Sequence, residues 1–216
     1  MIPKRPVPDP GAPRRGLAEI AAALQWDRGR WVWLLAILTA LDALSALGDR
    51  ARSALRYDRA AIAAGQWWRL LTAHLVHLGA RHLILDELGL VLVWALFADA
   101  YDAVDWIAIV AFGALAIGCG LWWLSPRVEW YLGASGVLHA AAAAGTVKHL
   151  VDRLWDRWIL LIGLLAKIAH EQYAQATGHA AALVVVDAHL YGVAAGFLIG
   201  AALCRRIAII RRRTGP

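Results

Sequence analysis

The chain has 216 residues, 61% of them hydrophobic, with a formal net charge of +6 and twelve tryptophans. An apolar share well above the roughly 45–50% of soluble domains excludes an ordinary soluble fold and points to an all-α, polytopic membrane bundle. The excess charge does not indicate a nucleic-acid partner, because the basic residues stand at the chain ends and between apolar runs, where membrane topology places them.

Residues 1–30 hold five of the seven prolines and six basic residues, with no continuous apolar core. They read as a flexible basic cytoplasmic tail with one amphipathic turn near residues 17–24, not as a cleavable signal peptide. Apolar runs follow at residues 31–48 (broken by Asp42), 82–101, 106–124, 133–147, 158–173 (broken by Lys167 and Glu171) and 180–204. Read as membrane-crossing helices, they give a six-helix domain over residues 31–204 and a basic cytoplasmic tail over residues 205–216. Six crossings put both basic termini on the cytoplasmic side. The connection over residues 49–81 then lies outside, although it carries Arg50, Arg52, Arg56, Arg59, Arg69 and Arg81. Long loops are less bound by the positive-inside rule. This loop ends in Trp67-Trp68-Arg69-Leu70-Leu71, a composition suited to the membrane interface.

The fourth run opens with Gly133-Ala134-Ser135-Gly136 and reaches Lys148 after 15 residues. At ~1.5 Å per residue it covers roughly 22 Å, less than the ~30 Å hydrocarbon core, so Ser135 is expected below the outer surface. His82 and Asp86 open the second run, and Asp187 and His189 lie in the first third of the sixth. With six crossings, all of these polar groups fall toward the outer face, and ionisable residues inside a membrane usually mark function. Ser135 needs a base to become a nucleophile, and donors to hold the developing oxyanion. His189 is the natural base. It shares a helix face with Gly192 and Gly196, at i, i+3 and i+7, which lets its helix approach that of Ser135 closely. His82 and Asp86, at i and i+4, are read as oxyanion support, with the helix N-terminus at Gly133–Gly136 favouring negative charge.

Each signal has a plainer alternative. The glycines around His189 also suit simple helix packing, His82 and Asp86 suit an interhelical hydrogen-bond pair, and His139, one turn after Ser135, suits a packing histidine. Lys167 and Glu171, at i and i+4, suit a structural ion pair or a substrate contact. His74, His77, His82 and Asp86, with His139, His170, His179 and His189, also offer metal-ligand chemistry, but no HExxH spacing is present. No metal and no cofactor are expected. Cys119 and Cys204 fall near opposite membrane faces, which argues against a disulfide.

In order along the chain, Trp68-Arg69, His77, His82-x-x-x-Asp86, Gly133-Ala134-Ser135-Gly136 and Ala188-His189-x-x-Gly192-x-x-x-Gly196 resemble the rhomboid intramembrane serine proteases over roughly residues 31–204. The run Arg69-Leu70-x-Thr72-x-His74-x-x-His77 and Lys167-x-x-x-Glu171-Gln172 look most like the rhombosortase branch. The resemblance implies a six-helix fold in a bacterial inner membrane with its active site toward the periplasm. It implies Ser135 as nucleophile, His189 as base, and His82 with the Ser135 N–H in the oxyanion hole. It also implies a membrane-anchored substrate with a C-terminal GlyGly-CTERM tail: a Gly-Gly motif, a transmembrane helix and a basic end. Trp68, Arg69, His77, Lys167 and Glu171 are the candidate substrate-recognition residues. The family usually has Asn where this chain has Asp86. An ionised Asp only accepts hydrogen bonds, so Asp86 is expected to orient His82 instead. The runner-up is a general rhomboid protease cutting other single-span proteins, and a catalytically silent rhomboid-like binder and a metal-handling membrane protein are the readings from other classes.

Overall fold

The computed structural model describes residues 30–179 and 184–214. The expected N-terminal tail with its amphipathic turn lies outside the described residues, as do residues 180–183 at the expected start of the sixth run.

The chain begins with α1 (Arg30–Ala46), then α2 (Asp49–Leu55), β1 (Tyr57–Asp58), α3 (Arg59–Ala63), α4 (Arg69–Thr72) and a 3-10 turn (Ala73–Leu75). Five longer helices follow: α5 (Ala80–Phe97), α6 (Ala103–Leu124), α7 (Ser135–Val151), α8 (Arg157–Ala176) and α9 (Val186–Thr214), with the short β2 (Trp130–Tyr131) leading into α7. Each of the six apolar runs therefore contains a long helix. Among the described residues, two of these, α6 and the Val186–Ile210 part of α9, are long and apolar enough to cross a membrane. A third crossing follows only if α1 and α2, bent by 105°, are taken together. The reason is visible in the sequence: α5 carries Arg81, Asp86 and Glu87, α8 carries Arg157, Lys167 and Glu171, and α7 has only 17 residues. The last helix continues through Arg205 and Arg206 to Thr214, since arginine is a good helix former and a helix need not end where apolarity does.

At the centre, α9 packs on α7. A Cβ added to Gly192 would stand 2.2 Å from the Gly136 carbonyl oxygen, and one added to Gly196 would stand 2.1 Å from that of Ala140. Only glycine permits this approach, and it replaces bulk with close backbone contact along the seam. The alanines of α7 continue the seam, with Ala140, Ala143 and Ala144 fully buried. Above it, Tyr57, Ile62, Ile117, Leu121, Tyr131 and Val137 form the main apolar cluster. By contrast, α8 buries Ile168 alone. Large apolar side chains such as Ile84, Leu88, Leu92, Ile107, Ile162 and Leu198 face outward, as a lipid-facing surface requires.

The Arg-rich connection is a scaffold. Tyr57 pairs with Tyr131 and Asp58 with Trp130, tying it to the segment before Ser135. The Arg59 guanidinium donates to the carbonyls of Leu121, Trp122, Ser125 and Val128, capping the C-terminal end of α6. Arg69 is buried and donates to Gln66 Oε1 and to the Arg56 carbonyl, while Arg56 pairs with Asp58 and Arg52 with Asp49. These arginines serve internal bonds, which accounts for their presence in this loop without reference to membrane orientation.

Candidate active site

The N-terminal ends of α5, α7 and α9 meet, and each delivers one group. Gly133 holds φ +118°, a backbone conformation that favours glycine, and ends the strand-like approach so that α7 starts at Ser135. The Gly133 N–H donates to the Ala73 carbonyl at 3.0 Å, and the Tyr131 hydroxyl donates to the Gly133 carbonyl at 2.8 Å, so the turn is held from both sides. The first N–H groups of α7 have no partner within the helix and carry its positive dipole end.

His189, on the first turns of α9, brings Nε2 to 2.8 Å from Ser135 Oγ. Its other nitrogen, Nδ1, lies 2.9 Å from Glu171 Oε2 on α8. A carboxylate only accepts, so Nδ1 carries the proton and Nε2 is left to accept from the serine hydroxyl. Glu171 Oε1 is paired with Lys167, one turn earlier on α8. His139 stacks on His189, with ring centroids 4.2 Å apart and planes at 16°, and its Nδ1 lies 2.7 Å from the Ser135 carbonyl. The plain packing reading of His139 therefore describes its geometry, with the His189 imidazole as the surface it packs on.

On the opposite side of Ser135, the Leu78 N–H approaches His82 Nδ1 at 3.4 Å, which leaves the proton of the neutral ring on Nε2. That ring lies over Gly133, where a Cβ would come within 2.7 Å of it. One oxygen of the buried Asp86 accepts a backbone N–H and lies near two imidazoles. Its Oδ2 accepts the Ala134 N–H at 2.8 Å, His77 Nε2 is 3.1 Å away and His82 Nε2 is 3.5 Å away. Asp86 thus acts as an acceptor that fixes the Gly133–Ala134 turn beside His82.

A cavity of about 550 Å³ opens from Ser135, bounded by His82, Leu138, His139, Lys167 and His189 and running down to Leu92 and Ala142. Trp68 and Arg69 do not line it: Trp68 is half exposed and donates to the Ala54 carbonyl, and Arg69 is spent within the outer scaffold. His77 stands behind Asp86, fully buried. The sequence reading gave Glu171 an ion pair with Lys167, which is present, and missed its bond to His189, because nothing in the spacing of α8 announces a partner on α9.

Three ligating groups do come together: His139, Glu171 and His189, with atoms within 4.8 Å of one another. A metal must lie near the plane of each imidazole it binds, and the two stacked, nearly parallel ring planes meet far from both rings. The cluster is arranged for hydrogen bonding. His74 is directed elsewhere, its Nε2 3.3 Å from the Ala114 carbonyl and Nδ1 3.3 Å from the Tyr131 hydroxyl, and His179 contacts Thr177. Cys119 and Cys204 are both free.

A serine and a histidine hydrogen-bonded at the meeting point of three helix ends, inside an apolar-surfaced helical bundle, define a class of membrane protein with a buried polar centre. Residues 64–206, about two thirds of the chain, match the rhomboid domain, and the chain belongs to the rhomboid family of intramembrane serine proteases, which act on membrane proteins within the bilayer. No curated protein matches the chain.

Proposed function

We propose that this protein is an intramembrane serine endopeptidase in which Ser135 is the nucleophile and His189 the general base. The observation that carries the reading is the 2.8 Å bond between Ser135 Oγ and His189 Nε2. His189 takes the hydroxyl proton as Oγ attacks the scissile carbonyl, and returns it to the leaving amine. Water, giving its proton to His189, then attacks the acyl-enzyme. The bond to Ser135 Oγ breaks, Oγ takes the proton back, and the new carboxyl end is released. The oxyanion faces the free N–H groups that open α7 and the Nε2–H of His82, positioned by Asp86. In this reading the chain crosses a bacterial inner membrane six times, with both termini cytoplasmic and this centre in the outer half. Flanking helices close around α7, which spans ~25 Å by helix geometry.

The substrate proposed is a membrane-anchored protein with a C-terminal GlyGly-CTERM tail, as for a rhombosortase. Support comes from the run Lys167-x-x-x-Glu171-Gln172 and from the chemistry of glycine. A helix must unwind to present a carbonyl to Ser135, and glycine weakens a helix by ~1 kcal/mol relative to alanine while allowing close backbone approach. The test is cleavage, in liposomes, of a reporter carrying a Gly-Gly motif, a helix and a basic end. Cutting that stops when both glycines become leucine supports the assignment. Equal cutting of both reporters points to a rhomboid protease of broader substrate range.

A further inference from the structure

Resting on the Ser135–His189 reading, we infer that Glu171 is a positioning residue for the base, so that the working unit is a serine–histidine–glutamate triad whose third member is lent by α8. Glu171 Oε2 accepts from His189 Nδ1 at 2.9 Å, while Oε1 is taken by Lys167. The two carboxylate oxygens therefore have separate tasks, one fixing the imidazole tautomer and one held by a cation. Two further bonds clamp the same stretch of α8 to the start of α9: Gln172 Nε2 donates to the Val186 carbonyl at 3.4 Å and Gln175 Nε2 to Asp187 Oδ1 at 3.1 Å. Since α8 otherwise buries little, these polar bonds are what couple its seating to the state of His189.

The arrangement makes a specific prediction about Glu171→Gln. The Lys167 ammonium attracts the glutamine oxygen more strongly than a neutral imidazole does, so that oxygen turns to Lys167 and the amide N–H faces His189. That forces Nδ1 to accept and puts the proton on Nε2, where it blocks transfer from Ser135. Other titratable groups facing His189 are His139 on α7 and His82 on α5, and neither bonds to Nδ1.

The experiment is the rate of Ser135 acylation by a fluorophosphonate, followed in the full-length protein in detergent for wild type, Glu171→Gln, Glu171→Asp and the double variant Lys167→Met/Glu171→Gln. The wrong tautomer costs a serine–histidine system on the order of 10⁴-fold in its best-measured case, so a loss of at least ~100-fold is expected for Glu171→Gln, with unchanged melting. Glu171→Asp should recover part of the rate. The double variant should also recover, because without Lys167 the glutamine oxygen can turn to His189. Wild-type labelling by Glu171→Gln, or a double variant no faster than the single one, overturns the triad. Failure of wild type to label, or equal labelling of Ser135→Ala, instead overturns the protease reading on which it rests.

Discussion

Gly192 on α9 and Gly136 on α7 touch through backbone alone: a Cβ on Gly192 would sit 2.2 Å from the Gly136 carbonyl oxygen, one residue from Ser135. That contact sets how near His189 comes to Ser135. Gly192→Ala must push the two helices apart by several tenths of an ångström or more. Overpacking of this kind costs about 1–3 kcal/mol, and the displaced hydrogen bond should lower activity at least ~100-fold. Melting temperature and reporter cleavage, measured together, check both effects. Gly163→Ala, where no atom lies within 4 Å, is the control: cleavage should be unchanged and melting equal or slightly higher, because alanine favours the helix.

Asp86 separates two roles for the oxyanion side. Asp86→Leu leaves the Ala134 N–H without its acceptor and should cost about 1–3 kcal/mol, with loss of Ser135 labelling. Asp86→Asn keeps an acceptor oxygen for that N–H and should fold normally. Circular dichroism melts read the first effect and labelling rates the second. Collapse of the Asn variant would show that the ionised carboxylate is required by the whole bundle.

Arg59 holds the outer scaffold to the end of α6 by donating to four carbonyls. Arg59→Ala uncaps that helix end, and Arg59→Lys replaces a planar fork with a single ammonium. Hydrogen bonds to charged groups contribute about 1.5–3 kcal/mol each and do not add simply, so a loss of at least ~3 kcal/mol is expected for Ala and less for Lys. Chemical denaturation midpoints provide the measurement.

How much of this was legible in the sequence depends on whether a feature repeats along one helix or joins two. The His189, Gly192 and Gly196 face showed the α7–α9 seam, and Gly133-Ala134-Ser135-Gly136 marked a helix start. Those two signals are local in the chain, and the structure unites them. Glu171 bonds across two helices, and its spacing from Lys167 already explained it, so nothing called for a second partner. Arg59 and Arg69 looked like charges set against the expected membrane orientation. Their carbonyl partners lie as far as 69 residues away, out of reach of any periodic pattern. The short helices of residues 49–81 were hidden for the same reason: the β1–β2 pairing that organises them brings residue 57 to residue 131.

Outside the membrane-spanning part, Asp58 sets a pH limit. The Ala61 N–H, followed by the Arg56 guanidinium, holds its carboxyl below the usual value of 3.8. A depressed carboxylate stabilises the fold above its unfolded value and loses that contribution as pH falls through the lower folded value. Protection of the Ala61 amide from hydrogen exchange should therefore hold at about pH 5 and fall below about pH 4, the unfolded range for aspartate. In Asp58→Asn the protection should show no such step.

The central claim, that Ser135 is activated by His189, is tested most directly by fluorophosphonate labelling with the modified residue mapped by mass spectrometry. Label on Ser135 in the wild type, absent from Ser135→Ala and reduced at least ~100-fold in His189→Ala, is the predicted result. Label of equal extent in His189→Ala, or label carried elsewhere with Ser135 unmodified, would contradict it.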